Sequence, residues 1–340
     1  MDMLPTPAPE PSAILVRTPN WLGDLVVSTG FLQALLERFP RARVDLIVRR
    51  GFESLPLPRR GDVLVFDKAL ASAGAFGRGL RARGYSHCFV LPPSFSSAWM
   101  AYRSGIPARV GYRGQGRAWL LRPALRLAAP PRSAHLAEEY LGLLRPWGAA
   151  RAAQYPPRLE VDEPWIAAHR PDLSPSLGPY VVLAPGAEFG PAKQWPPRHY
   201  RALARALSAA GRPVVVAGLA KDRALGDVIL GGDVAGANLC GRTDLLQLVA
   251  LLAGAALVVS NDSGAMHLAA ALGRPQIALF GSTNPAWTAP RNPRARVLYR
   301  GEPCSPCYAR TCPLGTTRCL EALLPAGVAE EALKALAGPP

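Results

Sequence analysis

One carboxylate stands right behind the first apolar run. AILVR leads into PNWLGD, so that Asp24 follows Gly23 and precedes the helical pattern LVVSTGFLQALLERF. An Asp in that place can cap a helix by accepting from the unpaired N–H groups of its first turn. It can equally take a proton as a general base, with Gly23 leaving room for a substrate beside it. A second group of chemical interest lies at mid-chain. There YVVLAPGAEFGPAKQWPPRHY opens an apolar strand into a long Gly- and Pro-rich loop carrying Glu188 and Lys193, with a helix expected near Pro197. Loops of this length in compact domains carry function, and a lysine there can neutralise a phosphate as a point charge. A third group follows the run ALVVS, in NDSGAMHLAAALG. Asn261 or Asp262 can cap the helix, Gly264 admits close approach to the backbone, and the N–H groups of Gly264, Ala265 and Met266 are left to hold an anion.

CSPCYARTCPLGTTRCL places Cys304, Cys307, Cys312 and Cys319 in the spacing C-x2-C-x4-C-x6-C. Clustered thiols in a reducing compartment suggest a metal clip, and four thiolates suit Zn or Fe. The bland reading is reduced thiols in a surface loop. The cluster is far in sequence from Asp24, Lys193 and Asp262, so a metal here is expected to be structural. Cys88 and Cys240 sit singly in strand-like runs and read as small core residues.

These groups need elements to hold them. At 340 residues, with 49% hydrophobic and 19% charged residues, the chain is expected to form two domains with a core each. Short apolar strands (AILVR, VDLIV, DVLVF, CFVLP, then YVVLA, PVVVAG, ALVVS, QIALF) alternate with helical patterns such as SSAWMAYRSG and HYRALARALSAAG. That alternation predicts doubly wound α/β domains with parallel sheets, whose ligands sit at the carboxyl ends of the strands. The expected plan is a disordered lead-in over 1–12, a first domain over 13–153, a Pro-rich linker over 154–179, a second domain over 180–330 and a tail over 331–340. The lead-in MDMLPTPAPEPS lacks the basic and apolar regions of a secretion signal. The longest apolar run, residues 245–260, is too short to span a bilayer, so membrane contact is expected to be peripheral. A net charge of +15 favours anionic partners, although an Arg-rich coding bias would give the same excess.

PNWLGD, PGAEFGPAKQWP and NDSGAMHLAAALGRPQIALFGSTNP together resemble the ADP-heptose:lipopolysaccharide heptosyltransferases of glycosyltransferase family nine. Within that family the likeness is to the heptosyltransferase II group, whose members begin with PNW-hydrophobic-GD. The resemblance implies a GT-B fold, two Rossmann-like doubly wound domains facing a central cleft, with the acceptor on the first and ADP-heptose on the second. It implies inverting transfer to the first heptose of the lipopolysaccharide inner core, with no cofactor needed for catalysis. No Asp-x-Asp pair of the metal-dependent transferases is present.

By the same resemblance Asp24 is the general base and Lys193 the diphosphate lysine. Asp262, Ser263, Gly264, Ala265, Met266 and His267 contact pyrophosphate and heptose, and Gly186 and Glu188 belong to the substrate loop. Asp222 stands where the family usually has a ribose-binding Glu. Guanidinium forks suit the anionic groups of a lipid A core acceptor, which makes Arg109 and Arg113 of the Gly-rich stretch RSGIPARVGYRGQGRAW candidates for it, the bland reading being a solvated basic loop. The resemblance assigns the enzyme to the cytoplasmic face of the inner membrane. Heptosyltransferase I and protein-directed members are the near alternatives. A basic zinc-ribbon nucleic-acid-binding protein would fit the charge and the cysteines but leaves the PNWLGD and NDSG turns unexplained; no nucleic acid is expected. An NAD-dependent oxidoreductase lacks its Gly-x-Gly-x-x-Gly after AILVR.

Overall fold

The computed structural model describes residues 10–148, 150–173 and 178–338. Most of the expected lead-in falls outside them, but Ser12 lies inside, its carbonyl accepting from the Arg43 N–H at 2.9 Å. The chain divides into two compact units, Met1–Pro157 and Arg158–Pro340.

The first unit carries six strands: β1 (Ala13–Arg17), β2 (Arg43–Arg49), β3 (Val63–Phe66), β4 (His87–Val90), β5 (Ala108–Tyr112) and β6 (Ala124–Leu125). They form one parallel sheet in the order β3-β2-β1-β4-β5-β6. A parallel sheet with helices on both faces needs strands that are apolar on both sides, which is why AILVR and VDLIV read as runs rather than alternations. Leu15, Ile47, Cys88 and Val90 pack there with Ala98, Met100 and Ile106.

The second unit repeats the plan with β7 (Val181–Ala184), β8 (Val214–Val216), β9 (Gly236–Asn238), β10 (Leu257–Asn261), β11 (Gln276–Phe280) and β12 (Ala295–Tyr299). Its parallel order is β12-β11-β10-β7-β8-β9, which from the other edge is the order of the first sheet. The core joins Val181, Leu183, Leu257 and Val259 to Trp195, Tyr200 and Leu203. Each order reverses once, between β1 and β4 and between β7 and β10. Ligands of such sheets sit at the carboxyl ends of the strands at that point.

Three stretches differ from expectation. The Gly-rich stretch of residues 103–119 contains β5, because Val110 is fully buried and Gly111 lets Val90 and Leu121 approach. The Pro-rich stretch of residues 154–179 holds a helix, Glu163–His169, capped by the Asp162 carboxylate accepting from Trp165 N–H at 2.8 Å and packed on the helix Leu245–Ala253. Residues 174–177 of that stretch lie outside the described residues. The expected tail belongs to the helix Pro325–Ala337, whose Ala332 is fully buried; residues 339–340 are not among those described. No helix among the described residues is long and apolar enough to cross a membrane.

Candidate functional site

The reversal point of the second sheet brings together residues some 70 positions apart. Lys193 ends a 3₁₀ turn, Pro191–Lys193, in the loop after β7, and Asp262 follows β10. Lys193 Nζ lies 2.5 Å from Asp262 Oδ2, which also accepts from the Thr283 hydroxyl at 2.6 Å. The carboxylate is 5% exposed and the lysine 14%. Lys193 Nζ also stands 5.0 Å from the centre of the Phe189 ring, and the Arg310 guanidinium shares that ring at 5.2 Å, so two cations face one π system.

Asn261 holds the loop in place. Its Nδ2 donates to Pro185 O at 2.7 Å, while its Oδ1 accepts from Trp195 N–H at 3.0 Å and from the Tyr200 hydroxyl at 3.2 Å. Both ends of the Lys193 loop are thereby tied to the last residue of β10, and the buried Trp195 adds a bond from Nε1 to Leu323 O at 2.9 Å.

Neither Asn261 nor Asp262 caps the next helix. The N-cap of Gly264–Ala271 is Ser263, which makes no side-chain cap bond, because the two candidate caps are engaged by the Lys193 loop. The first-turn N–H groups of Gly264, Ala265 and Met266 have no partner within the helix. The Met266 side chain packs with Ala278 and Phe280 in the core, and His267 is 6% exposed. Asp222 comes beside Gly186: its carboxylate accepts from Leu219 N–H at 2.9 Å, and a Cβ on Gly186 would stand 2.6 Å from it. Glu188, at the surface, pairs with Lys221, and that bond raises the lysine's pKa.

In the first unit Asp24 lies half-buried in the first turn of the helix Leu22–Val27, beside half-buried Gly23; the N-cap position belongs to Trp21. Burial, and then the negative charge of Asp24, hold the Tyr140 hydroxyl far above its ordinary pKa. Arg17, the last residue of β1, anchors the loop between them. Its fully buried guanidinium donates to Thr18 O at 2.6 Å and to Asn20 Oδ1 and lies 5.6 Å from the Phe66 ring, and burial lowers its pKa to about 10. Arg109 is engaged by its own loop, Nε donating to Leu120 O at 2.7 Å and Nη1 to the Ile106 and Pro107 carbonyls. Arg113 is exposed. Arg17, Thr283 and Arg310 were not marked by sequence, and Asn261 was marked only as a candidate helix cap; the placing of Thr283 in GSTNP, right after QIALF, hinted at it.

Residues 73–317 match the model of glycosyltransferase family 9 (heptosyltransferase). The chain belongs to glycosyltransferase family 9. It is 36% identical over 308 residues to lipopolysaccharide heptosyltransferase 2 of Salmonella typhimurium, covering 84% of this chain and 87% of that one. Lipopolysaccharide heptosyltransferase 1 of Pseudomonas aeruginosa is 28% identical over 316 residues, covering 88% and 86%. The solved structure of Escherichia coli ADP-heptose lps heptosyltransferase II superposes with a TM-score of 0.82 at 34% identity, covering 95% of this chain and 98% of that one. The protein is thus a glycosyltransferase, and its two Rossmann-type sheets are those of the GT-B class.

All four clustered cysteines of this family 9 transferase are free thiols: Cys304 and Cys307 exposed, Cys312 half-buried, Cys319 buried. Among the described residues no group of three or more His, Cys, Asp or Glu side chains is arranged, as it stands, so that it could hold a metal ion. The four sulfur side chains do line a single cavity together with Ala192 and Ser282. Cys88 and Cys240 are buried, and burial pushes both thiols up to about 12, in keeping with a packing role.

Proposed function

We propose that this enzyme transfers heptose from ADP-L-glycero-D-manno-heptose to the first heptose of the lipopolysaccharide inner core on a lipid A precursor, with inversion and without a divalent ion in the reaction. The observation that carries this reading is the Lys193–Asp262–Thr283 group beside the open start of the helix Gly264–Ala271. One cation and the backbone N–H groups of a helix start are what a departing diphosphate needs, since negative charge grows on it as the bond breaks. Asp222 serves the ribose through Oδ1, with Gly186 and Glu188 lining the same substrate loop, and Ser263, Ala265 and His267 border the diphosphate and heptose.

Asp24 serves as the general base. The acceptor hydroxyl attacks the anomeric carbon, the bond from that carbon to the diphosphate oxygen breaks, ADP leaves with the electron pair, and the hydroxyl proton passes to Asp24. The higher identity to heptosyltransferase 2 than to heptosyltransferase 1 supports the one-heptose acceptor. Arg113 meets its anionic groups, and Arg109 shapes the loop beside it. A lipid acceptor places the enzyme at the cytoplasmic face of the inner membrane. The exposed rings of Phe95, Tyr102 and Trp119, with Arg103 against the Trp99 ring, suit such a surface.

The test is ADP release from ADP-heptose with lipid A precursors bearing no, one or two heptoses, without added divalent metal. Turnover is expected with the one-heptose acceptor alone. Turnover with the heptose-free acceptor instead would make the enzyme a heptosyltransferase I.

A further inference from the structure

The cysteine segment is remote in sequence from the donor-site loops but is bonded to both of them. On one side Ala192 N–H donates to Arg310 O at 3.0 Å, next to Lys193. Gly190, at φ +153°, has no space for a Cβ against the same Arg310 carbonyl. On the other side Tyr308 N–H donates to Ser282 O at 2.8 Å, next to Thr283, and Ser305 Oγ donates to Gly281 O. A Cβ on Gly281 would press on Leu320 and on the Cys319 sulfur. The segment therefore touches the neighbours of Lys193 and of Thr283, the two residues that share Asp262 Oδ2.

What stiffens the segment is not regular structure. Residues 301–317 form no helix or strand, and Cys304, Cys307 and Arg310 are exposed. A stretch of that length without elements of its own has little apolar burial to fix its shape, and small scaffolds of this kind are commonly stapled. The staple is at hand, since the cavity lined by the four cysteines measures about 20 Å³ and takes one water-sized sphere. Its other walls include Ala192, Ser282, Pro313 and Leu314. The turn from Cys312 to Thr317 directs Thr317 N–H at the Cys312 sulfur, 3.4 Å away, a bond that favours a thiolate. Sulfur donors around a one-ion space, with no carboxylate or imidazole among the lining residues, select a thiophilic ion such as Zn²⁺ or Fe²⁺ over Mg²⁺ or Ca²⁺.

We propose that Cys304, Cys307, Cys312 and Cys319 bind one thiophilic divalent ion, and that this ion fixes the segment against the loops carrying Lys193 and Thr283, so that metal occupancy sets the affinity for the donor diphosphate. Each thiol that ligates releases its proton to solvent. Exposed Cys304 and Cys307 swing in to close the set. The ion stays off the diphosphate and acts by positioning. The coupling rests on the donor-site reading above; the metal site does not.

The experiment uses the full-length chain purified without a histidine tag. Metal per chain is measured, then ADP affinity by calorimetry, before and after stripping with a thiol-blocking mercurial and chelator and after reconstitution with Zn²⁺ or Fe²⁺ under reducing conditions. About one equivalent is expected, with ADP affinity falling about tenfold on stripping and returning on reconstitution. Co²⁺ should give thiolate-to-metal charge-transfer bands, and bound metal should protect the four thiols from a disulfide reagent. These two readouts stand even if Cys307→Ser or Cys312→Ser fails to fold. Less than about a tenth of an equivalent, with no uptake of added ion, overturns the site. Full occupancy with ADP affinity unchanged on stripping overturns the coupling. Metal and ADP coupling intact, with no heptosyl transfer, would count against the proposed acceptor and donor sugar and leave this inference standing.

Discussion

Lys193→Ala separates the observed role of Lys193, partner of Asp262, from its proposed one, cation for the donor diphosphate. Asp262 is 5% exposed and the Lys193 ammonium is its cation, so the substitution leaves a buried carboxylate to which the Thr283 hydroxyl still donates. Breaking a buried pair from one side costs about 3 to 5 kcal/mol of stability; Lys193, at 14% exposure, belongs at the low end of that range. Loss of the proposed diphosphate contact is a separate effect, expected to lower kcat/KM by about 10²-fold, or about 2.7 kcal/mol. The double variant Lys193→Ala/Asp262→Asn removes the orphaned charge and should recover most of the stability. It should recover little of the activity. The assays are urea unfolding and ADP release at saturating acceptor. If the single variant loses less than about threefold, or if Asp262→Asn restores its turnover, Lys193 supports the fold and does not serve the diphosphate.

Three further predictions follow from other parts of the molecule. Asp24→Asn should fold normally, since the N-cap of its helix is Trp21, and should bind ADP with little change while losing about 10² to 10⁴ in kcat; retention of more than about a tenth of kcat would assign the base elsewhere. Asn261→Ala leaves the Trp195 N–H and the Pro185 carbonyl buried without this partner and should cost about 3 kcal/mol in urea unfolding, together with weaker ADP binding. A loss below about 1 kcal/mol would show that packing of Trp195 alone holds the loop. Burial lowers the His87 pKa, so the unfolded chain binds the extra proton first, and stability should hold above about pH 6.5 and fall as the pH drops below it. His87→Gln should flatten that slope, and an unchanged slope would exclude His87 as its source.

Fold class was legible from local pattern, because helices and parallel strands are marked by local runs and their alternation. AILVR, VDLIV, YVVLA, ALVVS and QIALF all became buried strands. Lys193, Asp262 and the start of NDSGAMHL were legible as candidates for the same reason: each follows such a strand, and carboxyl ends of strands are where ligands sit. Elements with weak local signal were not legible. β5, ARVGY, carries Arg109 and Gly111, β12 carries Arg296, and the helix Glu163–His169 is too short to show periodicity amid its prolines.

Side-chain partnership was decided by the tertiary structure alone. Asp262 and Asn261 are both good helix caps by residue type, and only the pairing of β10 with β7 shows that Lys193 and Trp195 engage them instead. Arg109 reads as a cation for the acceptor until its backbone acceptors show it holding its own loop, and only burial and its backbone acceptor show Arg17 doing the same for the turn after β1. The cysteine segment seemed remote from the chemistry because its sequence separation from Lys193 exceeds a hundred residues, whereas Ala192 and Arg310 share a hydrogen bond. Sequence pattern reports what each residue does to its own few neighbours; contacts made by closing long loops depend on the order of strands in the sheet, and no local pattern encodes that order.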